Sequence, residues 1–208
     1  MSTTKTVEEY IKRNPSIRDS LHKGIINYAA LARYMLDDLS SKELSSMEAV
    51  IISLRRIKEK FHEPVNDKRI INLLKKSSLV IKNRVCVAIL EKDIYPDNLL
   101  DLEKQLKREK HIFYAIEGTN AITLLFEKRD SNLVKAKFKS VLVDFYEDMS
   151  IISINCDGVE GIPGVIAYLS SLFYDNDINI NQLMSCHNDN LFVVKETDVA
   201  TCMQFLKF

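Results

Sequence analysis

Apolar residues in the first third of the chain recur every three or four positions, the spacing of helices with one buried face. Val7, Tyr10 and Ile11 mark a helix from Thr4 to about Asn14, ended by Pro15, which cannot donate the next backbone hydrogen bond. A second short helix is expected from Ser16 to Lys23, with Gly24 supplying the turn. Asn27 suits the cap of a third helix carrying Ala30, Leu31, Tyr34, Met35 and Leu39. A fourth, roughly Ser46 to Phe61, carries Ala49, Val50, Ile52, Leu54 and Ile57. The stretch His62 to Lys68, with Pro64 and Asn66, reads as a break, and Ile70 to Lys75 as a last helical turn or two.

The period then changes. Val85, Val87 and Ile89 alternate with other residues, as in a half-buried strand. From here the chain repeats itself with an offset of about 67 residues. In the first copy a strand, Arg84 to Leu90, leads through Tyr95 and Pro96 to a helix with Leu99, Leu102 and Leu106. Two apolar runs follow, His111 to Ile116 and Ala121 to Phe126, split by the turn residues Gly118, Thr119 and Asn120, and then a helix from Ser131 to about Ser140. In the second copy a strand, Ser150 to Cys156, leads through Ile162 and Pro163 to a helix with Val165, Ile166, Leu169 and Leu172. A strand from Ile178 to Met184, a turn at His187 to Asn190, a strand from Leu191 to Val194 and a helix from Asp198 to Leu206 complete it. Each copy is βαββαβ-like, with its last strand short, absent or supplied by the segment that follows. The fold class expected is α+β: a helical domain at 1–69, with a helix-turn-helix as one reading of it, then ferredoxin-like units at 70–147 and 148–208.

With 46% hydrophobic residues, each of these parts has enough apolar side chain for a core. The 29 basic and 29 acidic residues cancel, so no overall charge draws the chain to nucleic acid or an anionic membrane. The balance shifts along the chain, from +3 over 1–69 and +2 over 70–148 to −5 over 149–208, which disfavours phosphate binding at the C-terminal part. Charged residues near the start and the lack of a long apolar run imply a cytoplasmic protein with no membrane segment. Cys86, Cys156, Cys186 and Cys202 have neither zinc-site spacing nor disulfide-framework density, so reduced and mostly buried thiols are expected. Cys186 and His187 are adjacent and on a strand would face opposite ways, so no metal site follows from them. His22, His62 and His111 are scattered, and no serine or cysteine has an evident base partner. No catalytic residue and no cofactor are therefore assigned.

Asp157-Gly-Val-Glu-Gly-Ile-Pro-Gly-Val165, followed by Ala167, Leu169, Leu172 and then Ile178-Asn-Ile180, resembles the ACT domain, especially the aspartokinase kind. Met184-Ser185, the turn, Leu191 to Val194 and a closing helix near Asp198 continue the likeness, and the unit before it is a degenerate version. On the residues alone, Pro163 suits a first helical position, Gly161 and Gly164 allow close backbone approach, and a helix N-terminus can hold a carboxylate. The resemblance implies a non-catalytic regulatory protein that pairs as a homodimer and binds an amino acid. The implied ligand contacts are Glu160, Gly161, Ile162, Pro163, Gly164 and Val165, with Asn179, Ile180 and Gln182. The first copy keeps Pro96 but has no glycine from Glu91 to Asn98, so it is expected to pair structurally rather than bind.

Two further readings stand beside this one. Residues 16–34 resemble a helix-turn-helix with Gly24 at the turn, which would make the chain an amino-acid-responsive transcription regulator with Asn27, Tyr28 and Arg33 as candidate DNA contacts. Arg33 stands where that motif usually has an apolar residue, and Arg55, Arg56, Lys58 and Lys60 read as a solvated helix face. In the other reading the chain is a structural subunit without a ligand, because the Glu160 charge would oppose a carboxylate.

Overall fold

The computed structural model describes residues 2–39, 44, 46–60, 67–92 and 96–208, and the chain divides into two units, Met1–Asp67 and Lys68–Phe208. The expected break at Pro64 and Asn66, His62, and Tyr95 of the first copy lie outside the described residues.

The first unit contains α1 (Thr3–Arg13), α2 (Pro15–Lys23), α3 (Tyr28–Asp38) and α4 (Met47–Lys60). Val7, Ile11, Leu21, Ala32, Met35, Val50 and Leu54 are fully buried in one cluster, so the three-and-four spacing does define the inner faces. Gly24 sits at φ +70°, where a side chain would be strained. The Gly24 and Ile25 amides close α2 onto the Leu21 and Ser20 carbonyls. Asn27 caps α3, its Oδ1 accepting from the Ala29 and Ala30 amides at 3.0 and 3.1 Å. The Tyr10 hydroxyl donates to Asp38 Oδ2 at 2.9 Å, tying α1 to α3. Burial, reinforced by that partner, pushes the phenol up to about 12, so it remains a donor.

The second unit runs α5 (Asp67–Leu74), β1 (Ser78–Glu91), α6 (Pro96–Arg108), β2 (Phe113–Glu117), β3 (Ala121–Glu127), α7 (Ser131–Lys137), β4 (Leu142–Asn155), α8 (Val165–Asp175), β5 (Gln182–Cys186), β6 (Asp189–Lys195) and α9 (Val199–Phe205). One six-stranded sheet has the order β2-β3-β1-β4-β6-β5, and every pair is antiparallel. The α+β class holds.

Two strands are longer than the alternating runs suggested. β1 and β4 are each 14 residues long and begin 64 positions apart. Each bends at a non-glycine residue in the left-handed region, Arg84 (φ +57°) and Asp148 (φ +55°), and the β1·β4 register slips there. Ser78 to Lys82 consequently lie beside Ile151 to Asn155, while Val87 to Leu90 lie beside Leu142 to Tyr146. At the bend the Ser150 hydroxyl, fully buried, donates to Asn83 Oδ1 at 3.0 Å.

The strand expected at Ile178 to Met184 begins later, at Gln182. Asp177 (φ +56°) closes α8, the Ile178 amide bonds the Phe173 carbonyl, and Ile178 and Ile180 pack on the core below, so these residues finish the helix before the ladder starts. β1 also departs from half-burial: Val85, Cys86, Val87 and Ala88 are all fully buried. Cys86 and Ala88 join Leu124 and Phe126 against Leu102 and Leu106 of α6 and Val134 of α7. Val85 and Val87 join Leu125, Met149, Ile151, Leu191 and Val193 in a cluster made of strand residues. The other helix-covered core holds Ile152, Ile154, Phe192 and Val194 under α8 and α9, with Ile70 and Leu74 of α5. There the Phe173 and Phe192 rings stack at 4.8 Å and Phe205 meets Phe173 edge-on at 5.3 Å.

Candidate functional site

Between β4 and α8 the chain makes a compact loop. Gly158 is left-handed (φ +83°), Val159–Gly161 form a 3-10 turn, and Gly164 turns the chain into α8 at φ +92°. Pro163 is therefore not the first helical residue. Val165 is, with Gly164 as its cap, because only glycine enters that backbone region freely. The first helical bond runs from the Tyr168 amide to the Gly164 carbonyl at 2.8 Å, so the Val165, Ile166 and Ala167 amides precede the helical ladder.

The β5–β6 turn holds this loop in place. The Cys156 amide donates to the Asn188 carbonyl at 2.9 Å, and Asn188 Nδ2 donates to Asp157 Oδ1 at 2.6 Å. His187, itself left-handed (φ +50°), brings Nδ1 to 3.4 Å from Glu160 Oε1, with both side chains exposed.

Over the start of α8 lies a depression of about 290 Å³. Of the residues expected from the sequence, Glu160, Ile162, Gly164 and Val165 line it, and Val159, Ile166, Ala167 and Ser185 complete it. Gly161 and Pro163 belong to the same loop without lining the depression, and neither Asn179, Ile180 nor Gln182 lines it. Asn179 is exposed, while Ile180 packs into the core. Ser185 carried no sequence signal of its own. It lies two residues beyond Leu183, which pairs with Phe192, so period-two alternation puts it on the face α8 covers once the ladder starts at Gln182. The Ser185 hydroxyl donates to Asn190 Oδ1 at 2.9 Å, and the fully buried Asn190 donates to the Ile154 carbonyl at 3.4 Å. That leaves the Ser185 oxygen as an acceptor at the pocket wall. Nearby in sequence, Asn181 Oδ1 is buried with no hydrogen-bond partner among the described residues.

The residues proposed to touch DNA are placed differently. Asn27 uses its side chain to cap α3, the Arg55 guanidinium sits 5.9 Å from the centre of the Tyr28 ring, and Arg33 is exposed. Among the described residues, His111, Glu109 and Asp130 form the cluster with metal-ligand chemistry, their ligand atoms within 4.8 Å of one another. His111 Nδ1 lies 3.0 and 3.1 Å from the two oxygens of the buried Asp130, a contact that ties the segment after α6 to the 3-10 turn Lys128–Asp130. Cys86, Cys156 and Cys202 are buried and Cys186 is exposed, all four as free thiols. No described helix is long and apolar enough to cross a membrane.

Residues 144–207 match the family model of the ACT domain. No curated protein matches the chain. Among solved structures, aspartate kinase from Clostridium acetobutylicum is similar at a TM-score of 0.53 and 12% identity, over 62% of this chain and 34% of that one. The chain thus spans about a third of that enzyme's length. The regulatory subunit of aspartate kinase from Thermus thermophilus aligns at a TM-score of 0.49 and 12% identity, over 62% of this chain and 92% of that one. At such identity the first of these likenesses establishes the fold.

Proposed function

We propose, from the match of residues 144–207 to the ACT-domain family model, that the chain is a non-catalytic regulatory protein that binds a small ligand such as an amino acid and pairs with a second copy. The observation that carries this reading is the depression over the start of α8, where free helix amides and a hydroxyl acceptor meet in one apolar-walled site. The amides of Val165, Ile166 and Ala167 suit a carboxylate, which a helix N-terminus also favours through its dipole. The Glu160 carboxylate and the Ser185 oxygen suit an ammonium group. A zwitterion satisfies both ends, whereas a simple carboxylic acid would meet the Glu160 charge unpaired. Gly161, Pro163, Asn179, Ile180 and Gln182 then act as shaping and neighbouring residues.

In this reading the sheet holds two ferredoxin-like units that exchange a strand. The first takes β1 beyond the bend, α6, β2, β3 and α7, and borrows Leu142 to Tyr146 as its fourth strand. The second takes β4 beyond its bend, α8, β5, β6 and α9, and borrows Ser78 to Lys82.

The test is a thermal-shift screen of the protein against the twenty amino acids, repeated on Gly164→Asp, since a ligand that binds only the folded state raises the melting temperature. A stabilising amino acid whose effect is lost in the variant is the expected result. No shift with any of them overturns the sensor reading and leaves a structural subunit. A second reading, DNA binding by residues 16–39, is favoured by the α2–Gly24–α3 geometry with its capped third helix. A salt-sensitive gel shift lost on replacing Arg33 is its expected signature, and no shift at low salt rejects it.

A further inference from the structure

The bend in β1 opens onto a second and larger cavity, of about 700 Å³, lined by Asn83, Arg84, Glu127, Lys128 and Arg129. We propose that it is a binding site for a small molecule bearing a doubly charged oxyanion, a phosphoryl group or a pair of carboxylates, with Arg84 and Lys128 as its principal cations. The inference stands independently of the amino-acid site and uses other residues.

The two bends carry charge of opposite sign. β4 begins 64 positions after β1 and β6 begins 68 positions after β3, so the corresponding places in the other half are Glu147, Asp148, Lys195, Glu196 and Thr197. The same backbone positions are thus mostly acidic there and mostly basic around the cavity. Lys128 is paired with Asp148 across the two bends and Arg129 with Glu127, which leaves Arg84 as the cavity cation without a carboxylate partner among the described residues.

The residues at the two bends also differ in how easily they adopt the backbone there. Both bends are left-handed, a region that aspartate and asparagine enter far more readily than arginine. Asp148 is the conformationally easier choice and is paired, its carboxylate taking Lys128 Nζ at 2.6 Å. Arg84 bears the backbone strain and has no carboxylate partner among the described residues, although its planar fork is suited to an oxyanion.

The groups around Arg84 are already oriented. Asn83 has its Oδ1 engaged by Ser150, which directs its amide protons elsewhere. Glu127 accepts from the Ile112 amide at 3.0 Å and from the Arg129 guanidinium, so it holds Arg129 at the cavity wall. Partial burial by itself would raise the Glu127 carboxyl, but these donors outweigh it and keep the group below its ordinary range, ionised at neutral pH. Lys128 can turn from Asp148 to an incoming anion, because that pair is exposed and such pairs are weak.

Inorganic pyrophosphate and citrate are the probes, titrated calorimetrically into the full chain at matched ionic strength with chloride as control. Arg84→Gly is the informative variant, since glycine removes the cation while relieving the left-handed strain, and its own melting temperature should not fall. Saturable binding of either probe that weakens at least about tenfold in Arg84→Gly and in Lys128→Gln, and persists in Gly164→Asp, is expected. Binding of pyrophosphate alone assigns the phosphoryl source, and of citrate alone the carboxylate source. Heats no larger than the chloride control, or unchanged in Arg84→Gly, overturn the proposal.

Discussion

The half of the sheet unit built on α6 and α7 and the half built on α8 and α9 have the same order of strands and helices, but their loops differ in what they offer a ligand. Only the second half reaches its first helix through glycines, Gly158, Gly161 and Gly164, and a depression lies over that helix start. The backbone repeats more faithfully than the side chains do. Lys110 and Asp177, 67 positions apart, are both left-handed where the helix of each half ends, and Arg84 and Asp148 are left-handed at matching bends. The two halves share the geometry of these turns and carry opposite charges on them. Scaffold and chemistry are therefore separable in this chain, and each can be perturbed without the other.

The largest expected effect separates the two helix-covered cores. Phe173→Ala should cost about 3–5 kcal/mol in urea unfolding, because it leaves a cavity and removes the contacts with Phe192 and Phe205. Leu106→Ala, at the corresponding place in the other half and equally buried, should fall within about 2–5 kcal/mol and below the phenylalanine variant. Equal losses would mean that neither the larger ring nor its aromatic contacts add to stability.

A smaller effect separates the glycines of the loop. Gly164→Ala should cost about 1–2 kcal/mol from its left-handed backbone, since the added Cβ meets only Ile70 Cδ1 at an ordinary 3.6 Å. Gly161→Ala, with open space around the Cβ and no positive φ, should stay within about 0.5 kcal/mol of the parent protein. Similar melting temperatures for the two variants would show that the turn into α8 tolerates another conformation.

The smallest perturbation is chemical labelling. Burial pushes the Cys86 and Cys202 thiols up to about 11 and raises that of Cys156, so at pH 8 these three stay protonated and shielded. Cys186, exposed at the end of β5, should be the one thiol that reacts rapidly with a disulfide reagent in the native protein, and all four should react in denaturant. Rapid reaction of a second thiol without denaturant would reveal opening of one of the two cores.

Much of the local structure could be read from the chain. The Asn27 cap, the Gly24 turn, the break before Pro15 and the glycine-rich approach to α8 each depend on residues within a few positions of one another. Four of the nine expected ligand contacts do line the depression: Glu160, Ile162, Gly164 and Val165. Asn179 and Ile180 do not: the Ile178-Asn-Ile stretch is the connection after α8, its Ile178 amide bonded to the Phe173 carbonyl, and the strand opens only at Gln182. Ser185 could have been found by alternation along β5, but only from the correct starting point of that strand.

The sequence by itself determined which faces the helices bury and, at Gly24 and Asn27, where one helix ends and the next begins, since those choices are settled by spacing, capping and the lack of a Cβ; the left-handed turns at Arg84, Lys110, Asp148, Asp177 and His187 carry no such mark. Only the tertiary structure decided that Ser78 to Lys82 would lie beside Ile151 to Asn155, that Leu142 to Tyr146 would return to β1, and that Arg84 would stand at a cavity with Lys128. Strand pairing joins residues from 52 to 77 positions apart through backbone groups that every residue carries, so no side-chain pattern within either segment specifies its partner.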